Sequence, residues 1–230
     1  MNTSNLYQKI HVHLWIQSYN DFTTMLLKLY EDNPNPKIMQ QLRECLMDGG
    51  VIIYPTDTLY GFGCNIFKPK AIEQIAKIKH IELNQNTLSV VCHDLSQMAD
   101  YAKPISNHHF KIIKRCLPGP FTFILESNNN IPKQLLRKKK QVGLRIPNHP
   151  IALQLIEQLG NPMLSSSIPV NEFEIEYSTD PELIYEQYSH QIDFMIDAGH
   201  GDIIPSTIID LTQDEIEIIR EGKGDLQLIY

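Results

Sequence analysis

The stretch Val51-Ile-Ile-Tyr-Pro-Thr-Asp-Thr-Leu-Tyr-Gly-Phe-Gly63 decides the fold. Val51 to Tyr54 is an apolar run of the kind buried on both faces of a sheet. At Pro55 it breaks into Thr56, Asp57, Thr58 and Tyr60, and it ends at Gly61 and Gly63. A buried strand that delivers short hydroxyls to its carboxyl end, beside two glycines, can build a polar pocket floor. Glycine there lets a ligand approach the main chain. The same residues also suit a hydrogen-bonded strand-to-loop turn that binds nothing.

The flanking sequence alternates strands and helices. Residues 25–30 read as a first strand. Asn35 and Pro36 form an N-cap and first-turn pair, and Ile38, Leu42, Cys45 and Leu46 keep helical spacing up to Gly49-Gly50. A second helix fits Pro69 to about Lys77. Further on, the pattern predicts strands at 88–92, 121–126, 142–146, 162–167, 194–196, 207–211 and 216–219. Helices fit 107–116, the segment from Pro150 to Gly160, and a segment opened by Asp180-Pro181. The interleaving is irregular, so the expected architecture is a single α/β domain with a mixed, twisted, open sheet flanked by helices, not a regular barrel. Residues 1–24 precede this pattern. Ile10, Leu14, Trp15 and Ile16 show neither caps nor clear periodicity, so the segment is expected to be an amino-terminal extension to a domain spanning 25–230.

With 42% hydrophobic and 20% charged residues, the composition is that of an ordinary globular protein. The longest apolar runs fall short of a membrane span, and the start lacks a basic segment followed by an apolar one, so a cytoplasmic protein is expected. Cys45, Cys64, Cys92 and Cys116 form no CxxC pair, which leaves no zinc-type spacing and favours reduced, packed thiols. The formal net charge of −7 argues against a generic nucleic-acid binder. The basic run Arg137-Lys-Lys-Lys140 is a local exception, readable as a solvated loop or as a contact for RNA or phosphate. His108-His109 diverge on a helix and do not suggest a metal pair.

Four later segments extend the pattern of the opening one: Leu117-Pro-Gly-Pro-Phe-Thr-Phe-Ile-Leu125, Val142-Gly-Leu-Arg-Ile-Pro-Asn-His-Pro150, Pro205-Ser-Thr-Ile-Ile-Asp210 and Arg220-Glu-Gly222. Together with Pro-Thr-Asp-Thr-x-Tyr-Gly-x-Gly they resemble, in order and over roughly residues 25–225, the motifs of the YrdC-type threonylcarbamoyl-AMP synthase family. The resemblance implies an enzyme that condenses L-threonine, bicarbonate and ATP, with Mg²⁺ carried on the nucleotide. The products are threonylcarbamoyl-AMP, used to modify adenosine 37 of tRNA, and pyrophosphate. It implies that Thr56, Thr58, Tyr60 and Arg145 line the threonine and carbamate side. Thr122, Ser206, Thr207 and Arg220 then face the nucleotide, and Lys77, Lys79 and Ser167 stand at the reacting groups, with no protein-held metal. Fixed cations and hydroxyls suit such chemistry, which proceeds by positioning and charge neutralisation.

Two departures from the family pattern stand out. Its Lys-x-Arg pair is Lys77-Ile78-Lys79 here, and in an extended segment both charges would still point to one side. A lysine is a point charge, without the arginine fork. Its Ser-x-Asn becomes Ser167-Ile168-Pro169, and proline supplies neither a side-chain hydrogen bond nor a backbone donor. This pair of departures resembles the YciO-like subgroup. It implies either weakened or altered synthase activity, or an RNA- or ribosome-binding protein of the same fold, whose partner would be tRNA or other double-stranded RNA. The expected site is a positively charged cleft lined by 56–60, 77–79, 122, 145, 167, 206–207 and 220.

Overall fold

The computed structural model describes residues 24–82, 88–135 and 140–230. Residues 1–23 and 137–139, which carry the extension and most of the basic run, lie outside the described residues. Among the described residues ten strands form one mixed sheet. They are β1 (Met25–Lys28), β2 (Ile52–Tyr54), β3 (Gly61–Asn65), β4 (Ser89–Val91), β5 (Phe121–Glu126), β6 (Gln141–Arg145), β7 (Met163–Ser167), β8 (Phe194–Asp197), β9 (Thr207–Asp210) and β10 (Glu217–Arg220). Their spatial order is β1-β8-β2-β3-β7-β4-β6-β5-β9-β10. Parallel pairs (β1 with β8, β4 with β6, β5 with β9) are mixed with antiparallel ones (β2 with β3, β3 with β7, β5 with β6).

Helices cover both faces, as the sequence predicts. On one face α1 (Pro36–Asp48) and α5 (Pro150–Leu159) place Met39, Leu42, Leu46, Leu155 and Ile156 against Ile52 and Tyr54. On the other, α2 (Pro69–Ile78), α4 (Asn107–Cys116) and α7 (Pro181–Tyr188) place Ile72, Ile75, Ile112 and Ile184 against Val51, Ile53 and Phe62. Successive residues of Val51–Tyr54 thus belong to alternate cores, which is why the run is apolar throughout. The shorter α3 (Leu95–Ala99) and α6 (Glu176–Thr179) complete the helices.

The expected caps hold. Asn35 accepts from the Lys37 N–H at 3.0 Å with Pro36 in the first turn, α1 ends at Gly49, and Asp180 caps α7. Two local expectations need correction. Gly61 to Asn65 is a strand of its own, pairing antiparallel with β2 on one side and β7 on the other. Its glycines conceal it, yet glycine is required there: a Cβ on Gly63 would stand 2.9 Å from the Tyr54 ring and 2.6 Å from the Met163 methyl. Lys77 lies inside α2, not in an extended segment, and Lys79 caps that helix in the αR region. At 100° per residue, side chains two apart diverge, so Lys77 faces solvent while Lys79 turns inward.

Thr24 is already tied to the domain. Its hydroxyl donates to Ile192 O at 2.6 Å and also contacts Ser189 O, and its carbonyl accepts from the Tyr185 hydroxyl at 2.7 Å. All four cysteines are free thiols, and burial raises their pKa values, that of Cys45 to about 12. No helix among the described residues is long and apolar enough to cross a membrane.

Candidate functional site

The register of β2 and β3 pairs Tyr54 with Gly61, so Pro55–Tyr60 leaves the sheet as one loop. Thr56 shapes that loop. Its hydroxyl donates to Leu59 O at 2.7 Å, accepts from the Thr58 N–H at 3.1 Å and lies 3.0 Å from the Thr58 hydroxyl. Tyr60 turns back to the β8–β9 connection, donating to Gly199 O at 2.7 Å and accepting from Ala198 N–H at 3.2 Å. Burial raises its phenol pKa to about 12, so it remains a neutral donor at any physiological pH.

Arg145, at the end of β6, enters the loop from below. One guanidinium nitrogen, Nη2, donates to Asp57 Oδ1 at 2.5 Å and to the Thr58 hydroxyl at 2.8 Å. Arg145 is only 6% exposed. Its Nε and the second Asp57 oxygen are both buried without a hydrogen-bond partner, and so is Nδ1 of nearby His149. Unpaired buried polar atoms each cost free energy, and here three of them gather around one ion pair.

The remaining candidate residues fall into two groups. Lys79 Nζ donates to Ser167 O at 2.5 Å, and burial lowers its pKa. On β5 and the start of β9, the Thr122 and Ser206 hydroxyls lie 3.0 Å apart. Arg220, from β10, grips Ser206 through Nε and Nη2 to its carbonyl at 3.1 and 2.8 Å, and reaches its hydroxyl at 3.3 Å. Burial lowers the Arg220 pKa, and the positive charge of Arg145 lowers it further, so the two guanidinium groups share one electrostatic neighbourhood. Thr207 is fully buried. Its hydroxyl donates to Gly224 O at 2.9 Å and accepts from Gly222 N–H at 3.0 Å, so it anchors the carboxyl-terminal segment. Lys77 stands apart from both groups.

Beside the Thr56–Tyr60 loop opens a cleft of about 590 Å³. The expected lining meets this cleft only in part. Of the expected lining, only residues of the 56–60 loop contribute, and Glu31, Asp57 and Asp202 bring three carboxylates against the single ammonium of Lys223. Two of these carboxylates are paired: Asp57 with Arg145 beneath the loop, and Asp202 with Lys223. His149 also lines the cleft, with Nε2 3.3 Å from Glu31 Oε1. Burial lowers its pKa, against the opposing pull of Glu31 and Asp57. Glu31, His149, Asp202 and Lys223 had no assigned role in the sequence reading. His149 sits in a quoted motif, but nothing in the spacing of the other three points to a shared cleft. Among the described residues no three His, Cys, Asp or Glu side chains gather as a metal cage.

Known proteins resemble this chain in sequence and in fold. Residues 44–222 match the model of the Sua5/YciO/YrdC family, described as "Telomere recombination". The uncharacterised protein YciO of Escherichia coli K12 is 39% identical over 202 residues, which span 86% of this chain and 96% of that one. A threonylcarbamoyl-AMP synthase of Chromobacterium violaceum is 33% identical over 134 residues, 58% of this chain and 69% of that one. The crystal structure of E. coli YciO superposes with a TM-score of 0.82 at 36% identity, over 90% of this chain and all of that one. Sua5 of Pyrococcus abyssi, solved in complex with L-threonine, superposes with a TM-score of 0.77 at 25% identity, over 90% of this chain and 60% of that one. The motif order, the sheet and these matches agree: the chain belongs to the Sua5/YciO/YrdC family.

Proposed function

We propose that this protein is a threonylcarbamoyl-AMP synthase-like nucleotidyltransferase that acts on ATP, L-threonine and bicarbonate. The observation that carries this reading is the placement of Arg145 against the Thr58 hydroxyl and of Arg220 against Ser206, whose hydroxyl lies beside that of Thr122. A guanidinium is a fixed fork that grips an anion through two donors. A carboxylate and a polyphosphate are the anions this chemistry requires.

In this reading, Arg145 and Thr58 receive the threonine carboxylate, with Thr56 and Tyr60 shaping the wall around the carbamate. Arg220, Thr122 and Ser206 hold the nucleotide phosphates, and Thr207 fixes the strand entrance that presents Ser206. Lys79, close to Ser167, neutralises charge as a carbamate oxygen attacks the α-phosphorus and the bond to the departing pyrophosphate breaks. Mg²⁺ would travel with ATP. Such an ion is bound mainly through substrate phosphates. The setting would be cytoplasmic, with tRNA adenosine 37 as the eventual acceptor.

The rival reading, an RNA- or ribosome-binding protein without significant synthase activity, draws on Lys79 and Pro169. The formal net charge of −7 weighs against it. The test is incubation with ATP, L-threonine and bicarbonate, followed by detection of pyrophosphate and of the adenylate product. Release that depends on all three substrates supports the synthase. No release, together with salt-sensitive RNA binding, overturns it.

A further inference from the structure

Lys223 lies two residues beyond Glu221 in the segment that follows β10, and its ammonium bridges two walls of the cleft. Nζ donates to the main-chain oxygen of Asp57 at 2.7 Å and pairs with Asp202 Oδ2, also at 2.7 Å. Asp57 in turn holds Arg145 through its carboxylate at 2.5 Å. A continuous relay therefore runs from Asp202 through Lys223 and Asp57 to Arg145.

Both ends of the lysine's reach are fixed. Its own N–H donates to Pro205 O at 2.8 Å, and Thr207 ties down Gly222 and Gly224 on either side of it. Asp202 is fixed as well, since Oδ1 accepts from the Ile203 and Ile204 N–H groups at 2.6 and 3.0 Å. The Asp202 pKa is lowered: burial acts to raise it, but the hydrogen bonds from Lys223 and these amides outweigh that effect. The Lys223 and Asp202 side chains are 41% and 28% exposed, so the pair by itself adds little to stability. Its geometric effect is larger, because it ties the 56–60 loop to the β8–β9 connection directly above Arg145.

We propose that Lys223 is a positioning residue: by clamping the Asp57 main chain to Asp202, it fixes where Arg145 presents its guanidinium to the carboxylate of the acceptor amino acid. The carboxylate assignment rests on the synthase reading, while the relay itself does not.

The test uses the full chain with Lys223→Met, Lys223→Arg and Asp202→Asn. Three quantities are read: threonine affinity by calorimetry, ATP affinity, and the Arg145 Nε–H resonance by NMR. Lys223→Met is expected to weaken threonine binding about tenfold, the scale of one charge-assisted contact, to leave ATP affinity within about twofold, and to move the Arg145 resonance. Lys223→Arg should restore most of the affinity, and Asp202→Asn should fall between. An unmoved Arg145 resonance in Lys223→Met overturns the proposal. So does an equal loss of both affinities with a lowered melting temperature, which would mark a merely structural residue. If the wild-type protein releases no pyrophosphate or binds no threonine, the synthase reading fails, and the Arg145 resonance still decides whether Lys223 positions it.

Discussion

Thr58 Oγ1 lies 2.8 Å from Arg145 Nη2, although 87 residues separate them in sequence. That contact closes the hydroxyl-rich loop onto the end of β6 and makes one site of two distant motifs. It also shows the site's resting arrangement. Asp57 and Thr58 both occupy Nη2, while Nε has no partner, so an incoming carboxylate either shares Nη2 or takes up the unpaired Nε.

The Asp57–Arg145 pair supplies the first prediction. Its side chains are 11% and 8% exposed, so removing one partner strands the other charge away from water. Arg145→Met should destabilise the protein by about 3 kcal/mol, the scale for breaking a buried pair. The double variant Asp57→Asn with Arg145→Met should recover part of that loss, because no unpaired carboxylate remains. Urea denaturation of the four proteins in the cycle measures the coupling. Additive losses would mean that the pair does not act as a unit.

Lys79 yields a second prediction, through proton linkage. Burial lowers its pKa from the ordinary 10.5, and Nζ donates to a carbonyl, which carries no full charge. An anion beside it favours the ammonium and raises the pKa again. Binding of pyrophosphate or ATP should therefore take up protons in the window between the lowered pKa and 10.5. Calorimetry in buffers of different ionisation enthalpy measures that uptake. Lys79→Arg should abolish it, since a guanidinium stays charged throughout, and should raise turnover if a forked donor suits the phosphate better. Identical heats in all buffers would show that no phosphate reaches Lys79.

The sequence disclosed the fold more fully than the site, for physical reasons. The 3.6-residue and two-residue periodicities of α1, α5, β5 and β9 are local, and so are caps such as Asn35 and Asp180. β3 was hidden because Gly61 and Gly63 are poor strand formers, tolerated there only because strands on both sides enclose them. Lys77 and Lys79 were misplaced relative to each other because α2 runs one residue beyond Lys77, to Ile78, and Lys79 is its cap. Thr58, Arg145, Ser206 and Arg220 stand out in the sequence because they sit in the quoted motifs. Glu31, Asp202 and Lys223 could not, since each meets the cleft from a different loop and a charged loop residue ordinarily just faces water.

His149 leads to a third prediction, with a definite sign. Burial holds its pKa below the ordinary 6.5, although the facing carboxylates of Glu31 and Asp57 pull the other way. As pH falls through 6.5 the unfolded chain takes up a proton that the folded protein still refuses. Stability should therefore drop as pH falls below this value, and the dependence should flatten once the folded pKa is passed. In His149→Gln this part of the pH dependence should vanish. Urea midpoints at several pH values between neutrality and mild acid measure it, and parallel curves for the two proteins would rule the linkage out.

Gly222 provides the last prediction. A Cβ added there would stand 2.3 Å from Pro205 O and 2.7 Å from both the carbonyl carbon and oxygen of Ser206. All three are main-chain atoms, so no side chain can swing aside, and the entrance to β9 must move instead. Ser206 is the residue that pairs with Thr122 and receives Arg220. Gly222→Ala should therefore act twice. Overpacking should cost about 2 kcal/mol, which lowers the melting temperature by about 5 °C for a domain of this size. The displaced Ser206 should weaken ATP binding while leaving threonine affinity nearly intact, because Thr58 and Arg145 lie on other elements. Thermal melts and separate titrations with ATP and threonine measure both effects. Loss of stability with unchanged ATP affinity would place the nucleotide phosphates away from Ser206.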